Sequence, residues 1–181
     1  GTSRALREAG ITGLDVADVT GFPEIMDGRV KTLHPKIHGA LLGRADIDDS
    51  VMQQHGIGRI DLLVVNLYPF AATINRADAT FADAIENIDI GGPAMIRAGA
   101  KNHAAVTVLV NPQDYERVLE SVRDGEVPDA GLRRELAASA YAHTASYDTA
   151  VADYLKRESG TPLQSDDFSI GGHRSSTLRY G

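Results

Sequence analysis

The sequence predicts an α/β domain, layered, with a mostly parallel central sheet flanked by helices, and three observations point there. Asp61-Leu62-Leu63-Val64-Val65-Asn66 and Ala105-Val106-Thr107-Val108-Leu109-Val110 each have a continuous apolar centre. That is the pattern of a strand buried on both faces, as parallel sheets require. Helical periodicity fills the segments between and after these runs. Third, 181 residues suffice for one sizeable core and leave a second complete domain cramped.

The elements follow in order. Thr2 or Ser3 is placed to cap a helix through Ala9, which Gly10 stops. Val16 to Val19 reads as a short strand. Gly21 to His38 lacks periodicity and is rich in glycine and charge, which predicts a site loop rather than scaffold. Asp48 to His55 reads as a helix broken by Gly56 and Gly58. After the first buried strand, Thr80 caps a helix through Asn87, with Asp83 completing a short capping box. Gly91 to Lys101 is helical, with Pro93 in its first turn, and the second buried strand follows. Asn111-Pro112 starts a helix through about Val122. Asp129 to about Arg157 is a long helix whose apolar stripe runs Leu132, Leu136, Ala140 and Thr144, continued by Tyr147, Val151 and Leu155. From Glu158 onward the pattern degrades into Gly, Ser, Asp and Thr, as in a linker.

Composition narrows the function classes. Formal charge is −7, from 18 basic and 25 acidic residues, which argues against a broad nucleic-acid surface while leaving room for a local basic pocket. No cysteine is present, which excludes disulfides, thiol nucleophiles and thiolate metal sites. No apolar run is long enough to span a membrane, and a cytoplasmic enzyme is the expectation. Dinucleotide, Walker and nucleophile-elbow signatures are all missing.

Chemistry concentrates in three runs. Arg29, Lys31 and Thr32 offer two cations and a hydroxyl; in extended backbone Arg29 and Lys31 point the same way and can grip one anion. A solvated basic loop is the alternative. His34 and His38 are open to three readings: a metal pair, structural hydrogen bonding or substrate contact. In the second run, Pro69 holds Tyr68 in extended geometry at a strand exit, where its hydroxyl can orient a carbonyl or merely edge the core. Asn66 beside it can contact a ligand amide or satisfy loop backbone. The third run, Glu86-Asn87-Ile88-Asp89-Ile90-Gly91-Gly92-Pro93, puts a carboxylate and two glycines at a helix mouth, where free N–H groups favour an anion. Asp89 can accept a proton, and Lys101 can donate to a developing oxyanion. A straight helix separates their ends by about 15 Å, so direct contact needs a bend or an early helix end.

Together these runs resemble the inosine monophosphate cyclohydrolase domain of bifunctional purine biosynthesis enzymes. The resemblance rests on Gly21-Phe22-Pro23-Glu24, Gly28 to Pro35, Val64 to Phe70, Glu86 to Gly92 and Ala100-Lys101-Asn102-His103, and it extends through about Leu155. It implies a methylglyoxal-synthase-like fold, with residues 1–157 as the cyclohydrolase domain. Residues 158–181 become a linker and the start of a formyltransferase region, to which Leu178-Arg179-Tyr180-Gly181 is similar. Gly1-Thr2 looks like the end of a phosphate-binding Ser-Thr-Gly-Gly-Thr loop, so preceding strands are expected to be missing.

By the same resemblance, the activity is dehydrative closure of 5-formamidoimidazole-4-carboxamide ribotide to inosine monophosphate. Thr2, Arg29 and Thr32 would bind phosphate, with Lys31 near the reacting groups. Asn66 and Tyr68 would hold the formamido and carboxamide region, and Gly91 would present backbone. Asp89 would orient or deprotonate the attacking nitrogen, while Lys101 would stabilise oxygen. No metal, nucleotide cofactor or covalent intermediate is implied for this step. 10-Formyltetrahydrofolate would be cosubstrate of the formyltransferase region alone. A homodimer is implied for the intact protein, and neither nucleic acid nor membrane is implied as partner. The rival readings are a methylglyoxal-synthase-like or regulatory phosphate-ligand domain on the same fold, and an inactive dimerisation fragment.

Overall fold

A computed structural model describes residues 2–123, 125–160, 176 and 179. Most of the expected linker, and all of Leu178-Arg179-Tyr180-Gly181 except Arg179, lies outside the described residues.

The chain enters as helix α1 (Thr2–Glu8) and then α2 (Val16–Thr20). The second of these was expected as a strand. An acidic cap overrides the β-branched valines: the Asp15 N–H donates to the Asp18 carboxylate at 3.0 Å. Gly21 then closes the turn in the left-handed conformation with its N–H on the Ala17 carbonyl. The loop expected from Gly21 to His38 is shorter. Pro35 opens α3 (Pro35–Leu42), and His34 caps it by accepting the Lys36 N–H on Nδ1 at 3.1 Å. Proline here starts a helix rather than opposing one, because its missing N–H is unneeded in the first turn. His38 therefore sits on a helix, while His34 holds its start.

Next come α4 (Asp49–Gln54), strand β1 (Leu62–Val64) and α5 (Phe70–Ile74), the last with no sequence signal of its own. The Thr80–Asp83 capping box opens α6 (Phe81–Glu86) with reciprocal hydrogen bonds of 2.9 and 3.1 Å. Helix α7 (Gly91–Lys101) leads into β2 (Thr107–Leu109). A 3-10 turn at Pro112–Asp114 precedes α8 (Tyr115–Arg123), and α9 (Ala130–Glu158) begins where Asp129 accepts the N–H groups of Gly131 and Leu132.

Among the described residues the sheet has two strands, β1 and β2, paired in parallel with Leu63 opposite Val108. Strand β2 is buried throughout, as expected. Strand β1 is not: Leu63 is buried, but Leu62 and Val64 remain 45% and 47% exposed. Val64 opens onto one cavity and Leu62 onto another.

The main core joins Leu63 and Val108 to Ile96 on α7, Ala137 and Ala140 on α9, and Leu41 on α3. Helix α7 lies so close to the sheet that a Cβ on Gly99 would stand 2.8 Å from Val108 Cγ2 and 3.2 Å from Leu63 Cδ2. Small residues at Ala98, Gly99 and Ala100 permit that approach. Asn102 anchors the far end of α7 by donating to the carbonyls of Leu41 and Gly43 at 2.9 and 3.1 Å. Arg133 on α9 donates to the carbonyls of His103 and Ala104 just beyond. No helix among the described residues is long and apolar enough to cross a membrane.

Candidate functional site

A cavity of about 650 Å³ lies beyond the carboxyl end of β1, against the amino end of α7. Open α/β sheets bind ligands at such an edge, and the volume suits a nucleotide-sized molecule. Four segments line it: Thr2 from α1, Asp27 to Leu33, Val64 to Tyr68, and Ile85 to Gly92 with Met95.

Of the nine expected site residues, eight meet here: Thr2, Arg29, Lys31, Thr32, Asn66, Tyr68, Asp89 and Gly91. Lys101 does not. Helix α7 runs unbroken from Gly91 to Lys101, leaving Lys101 exposed at the opposite end, roughly 15 Å away at the α-helical rise. The pairing of Asp89 with Lys101 is therefore absent from this structure. Of the adjoining residues, Asn102 Nδ2 donates to the Leu41 and Gly43 carbonyls, and His103 Nδ1 lies 3.1 Å from the Ala100 carbonyl.

The two cations are each matched to a carboxylate. Arg29 donates to Glu86 across the cavity mouth, which holds its pKa above the ordinary value, first by the hydrogen bond and then by the charge. Lys31 Nζ lies 2.7 Å from Glu24. Both pairs are about half exposed or more, and such pairs are weak enough for an incoming anion to exchange. Arg29 and Lys31 follow a tight turn in which Met26, Asp27 and Gly28 all have positive φ, at 54°, 53° and 89°. For methionine and aspartate that conformation is strained, and strain of this kind gathers at ligand sites.

Asp89 is fixed by backbone. Its Oδ1 accepts the Gly92 N–H at 2.8 Å, capping α7, and Oδ2 accepts the Tyr68 N–H at 3.4 Å. Two bonds leave further lone pairs on the carboxylate. The glycines beside it are required by close approach: a Cβ on Gly91 would meet Thr32 Oγ1 at 2.5 Å, and one on Gly92 would meet Asp89 Oδ2 and Leu67 Cδ2 at 2.6 Å. Tyr68 presents a ring 55% exposed at the cavity edge. The Asn66 side chain donates to the Tyr115 hydroxyl at 3.1 Å, which leaves its oxygen for a ligand.

Sequence reasoning assigned no partner to Arg29 or Lys31, and it missed Asp27 in the wall. Glu24 and Glu86 stood inside recognised runs, but nothing in their spacing announced ion pairs with Lys31 and Arg29. Among the described residues, no group of three or more His, Cys, Asp or Glu is arranged to hold a metal ion.

An anion-ready helix mouth, paired cations and a fixed carboxylate on a layered α/β frame define a small-ligand domain of the MGS-like class, and the chain belongs to that family. The MGS-like domain matches residues 1–94, and the AICARFT/IMPCHase bienzyme family matches residues 99–181. Two relatives are described as bifunctional purine biosynthesis protein PurH. That of Shouchella clausii is 54% identical over 183 residues, covering 100% of this chain and 36% of its own length. That of Roseobacter denitrificans is 54% identical over 185 residues, covering 100% and 34%. This chain thus spans about a third of the length of the curated relatives it matches. Among solved structures, that of ForH superposes with a TM-score of 0.76 at 38% identity, over 86% of this chain and 81% of that one.

Proposed function

We propose that this cavity closes the purine ring, converting 5-formamidoimidazole-4-carboxamide ribotide to inosine monophosphate with loss of water. The observation that carries the reading is the convergence, in one cavity, of residues distant in sequence that the cyclohydrolase resemblance assigns one by one.

The chemistry is demanding because a carboxamide nitrogen is a poor nucleophile. Arg29, Thr32 and Thr2 bind the ribotide phosphate, Arg29 leaving Glu86 to do so. With that end held, Asn66, Tyr68 and the Gly91 backbone fold the carboxamide nitrogen onto the formyl carbon. Such orientation removes much of the entropic barrier. Asp89 accepts the proton that nitrogen loses as the new C–N bond forms. Lys31 and Tyr68 act as donors to the former formyl oxygen, and it leaves as water while the formamido nitrogen gives up its own proton and the C=N bond forms. Lys101, which does not line the cavity, is assigned no step in this proposal.

We propose further that the full-length protein is bifunctional and homodimeric, its remaining part transferring a formyl group from 10-formyltetrahydrofolate to the aminoimidazole precursor. The test is ring closure by the purified chain, followed spectroscopically beside Asp89→Asn. Turnover by the parent chain and a loss of about a hundredfold or more in the variant are expected. Tight ribotide binding without turnover would instead favour a ligand-binding domain.

A further inference from the structure

One polar group near the cavity is not used by this chemistry: the hydroxyl of Tyr147, on α9 and about three turns before its end. It donates to the Asn87 carbonyl at 3.0 Å and accepts the Asp89 N–H at 2.8 Å. Asn87 ends α6 and Asp89 precedes α7, so one hydroxyl joins the last carbonyl of one helix to a free N–H before the next. Both capacities of the phenol are used, and both partners lie in the three-residue turn that carries the Asp89 carboxylate.

The ring that delivers this hydroxyl is itself held. Phe70, 1% exposed, meets Tyr147 edge-on at 6.2 Å and Tyr154 at 5.6 Å, and Tyr154 stacks on Phe81. Seven residues separate Tyr147 from Tyr154, two turns of the same helix face. Further up α9, Ala137, Ala140 and Thr144 are buried, the two alanines in the core formed with the sheet and α7. The hydroxyl is thus referenced to the core and not to the loop that it braces. Burial chiefly, aided by the Asp89 charge, raises the phenol pKa, so it stays protonated as a donor.

We infer that Tyr147 is a positioning residue for the ring-closing reaction: it sets the height and direction of the Asp89 carboxylate by clamping the Asn87–Asp89 backbone. The inference rests on the proposed role of Asp89. Removing the hydroxyl frees that turn while leaving the phosphate contacts at Arg29 and Thr32 intact, so it acts on turnover rather than on substrate binding.

The test compares Tyr147→Phe with Phe70→Leu, which disturbs the same ring packing but keeps the hydroxyl. Two readouts are used: steady-state ring closure, and amide exchange at Gly92, whose N–H is held by Asp89. For Tyr147→Phe, kcat is expected to fall about tenfold with KM within about twofold. Gly92 exchange should rise about tenfold while Ala98, in the middle of α7, is unchanged. Phe70→Leu is expected to lower the melting temperature more and kcat less. In an active chain, an unchanged kcat for Tyr147→Phe overturns the inference. If the unmutated chain is inactive, the ring-closure reading fails first. Exchange then decides the positioning on its own: faster exchange confined to Gly92 supports it, and unchanged protection overturns it.

Discussion

Asp89 serves two ends with one side chain, since the oxygen that caps α7 belongs to the carboxylate offered to the cavity. Gly92 couples the two roles. Its substitution by alanine gains helix propensity of about 1 kcal/mol, yet places a Cβ 2.6 Å from Asp89 Oδ2. Gly92→Ala should therefore melt within a few degrees of the parent while losing about tenfold or more in turnover. Calorimetry beside kinetics checks the split. Lys101→Ala should keep turnover within about threefold, because its side chain starts from the opposite end of the helix. A large loss in that variant would return Lys101 to the chemistry and require a different arrangement of α7.

At the scale of elements, helix beginnings were the most legible feature of the sequence. Thr80 with Asp83, Asn111 with Pro112, and Asp129 all mark starts that the structure contains, because caps are local and depend on few residues. Val16 to Val19 was misread because two valines outweighed Asp15 and Asp18, whose acidic cap decides the turn. Burial of β1 was misjudged for another reason: which face a helix covers is a tertiary property that a run of leucine and valine does not encode. The caps also predict acid behaviour. Backbone N–H donors hold Asp129 below its ordinary pKa, Thr80 does so for Asp83, and Arg44 holds Asp48 at about 2, against 3.8 unperturbed. A carboxyl depressed in the folded state adds stability that is complete above its unfolded pKa and is lost as pH falls toward the folded one. Urea midpoints should accordingly fall as pH drops from about 4 to about 2, and Asp48→Asn should flatten part of that slope. An unaltered slope would remove Asp48 from the account.

Across the whole molecule, the set of cavity residues was legible while its wiring was not. Sequence runs named eight of the lining residues, since polar groups clustered beside glycines and a strand exit announce a site. The Arg29–Glu86 pair spans 57 positions and the Tyr147 hydroxyl reaches back 58 to Asp89, so neither contact has a local signature. The Tyr147 contact exists because α9 packs against α7 and β2. Strands β1 and β2 are parallel neighbours, and α5, α6 and α7 all lie on the connection between them. That crossover carries Asn66, Tyr68, Asp89 and Gly91, while Thr2, Arg29, Lys31 and Thr32 precede β1; its exposed stretch, Asn75 to Asp78, contributes nothing to the cavity wall. Limited trypsin cleavage after Arg76 should leave Asn66 and Tyr68 on one fragment and Asp89 on the other. Leu63 and Ile96 would hold the two together, and the fragments should co-elute and retain ring closure. Separation of the fragments would show that the covalent link carries the fold. Co-elution with retained turnover would show that the proposed reaction centre assembles from two pieces, each able to be made, labelled or exchanged alone.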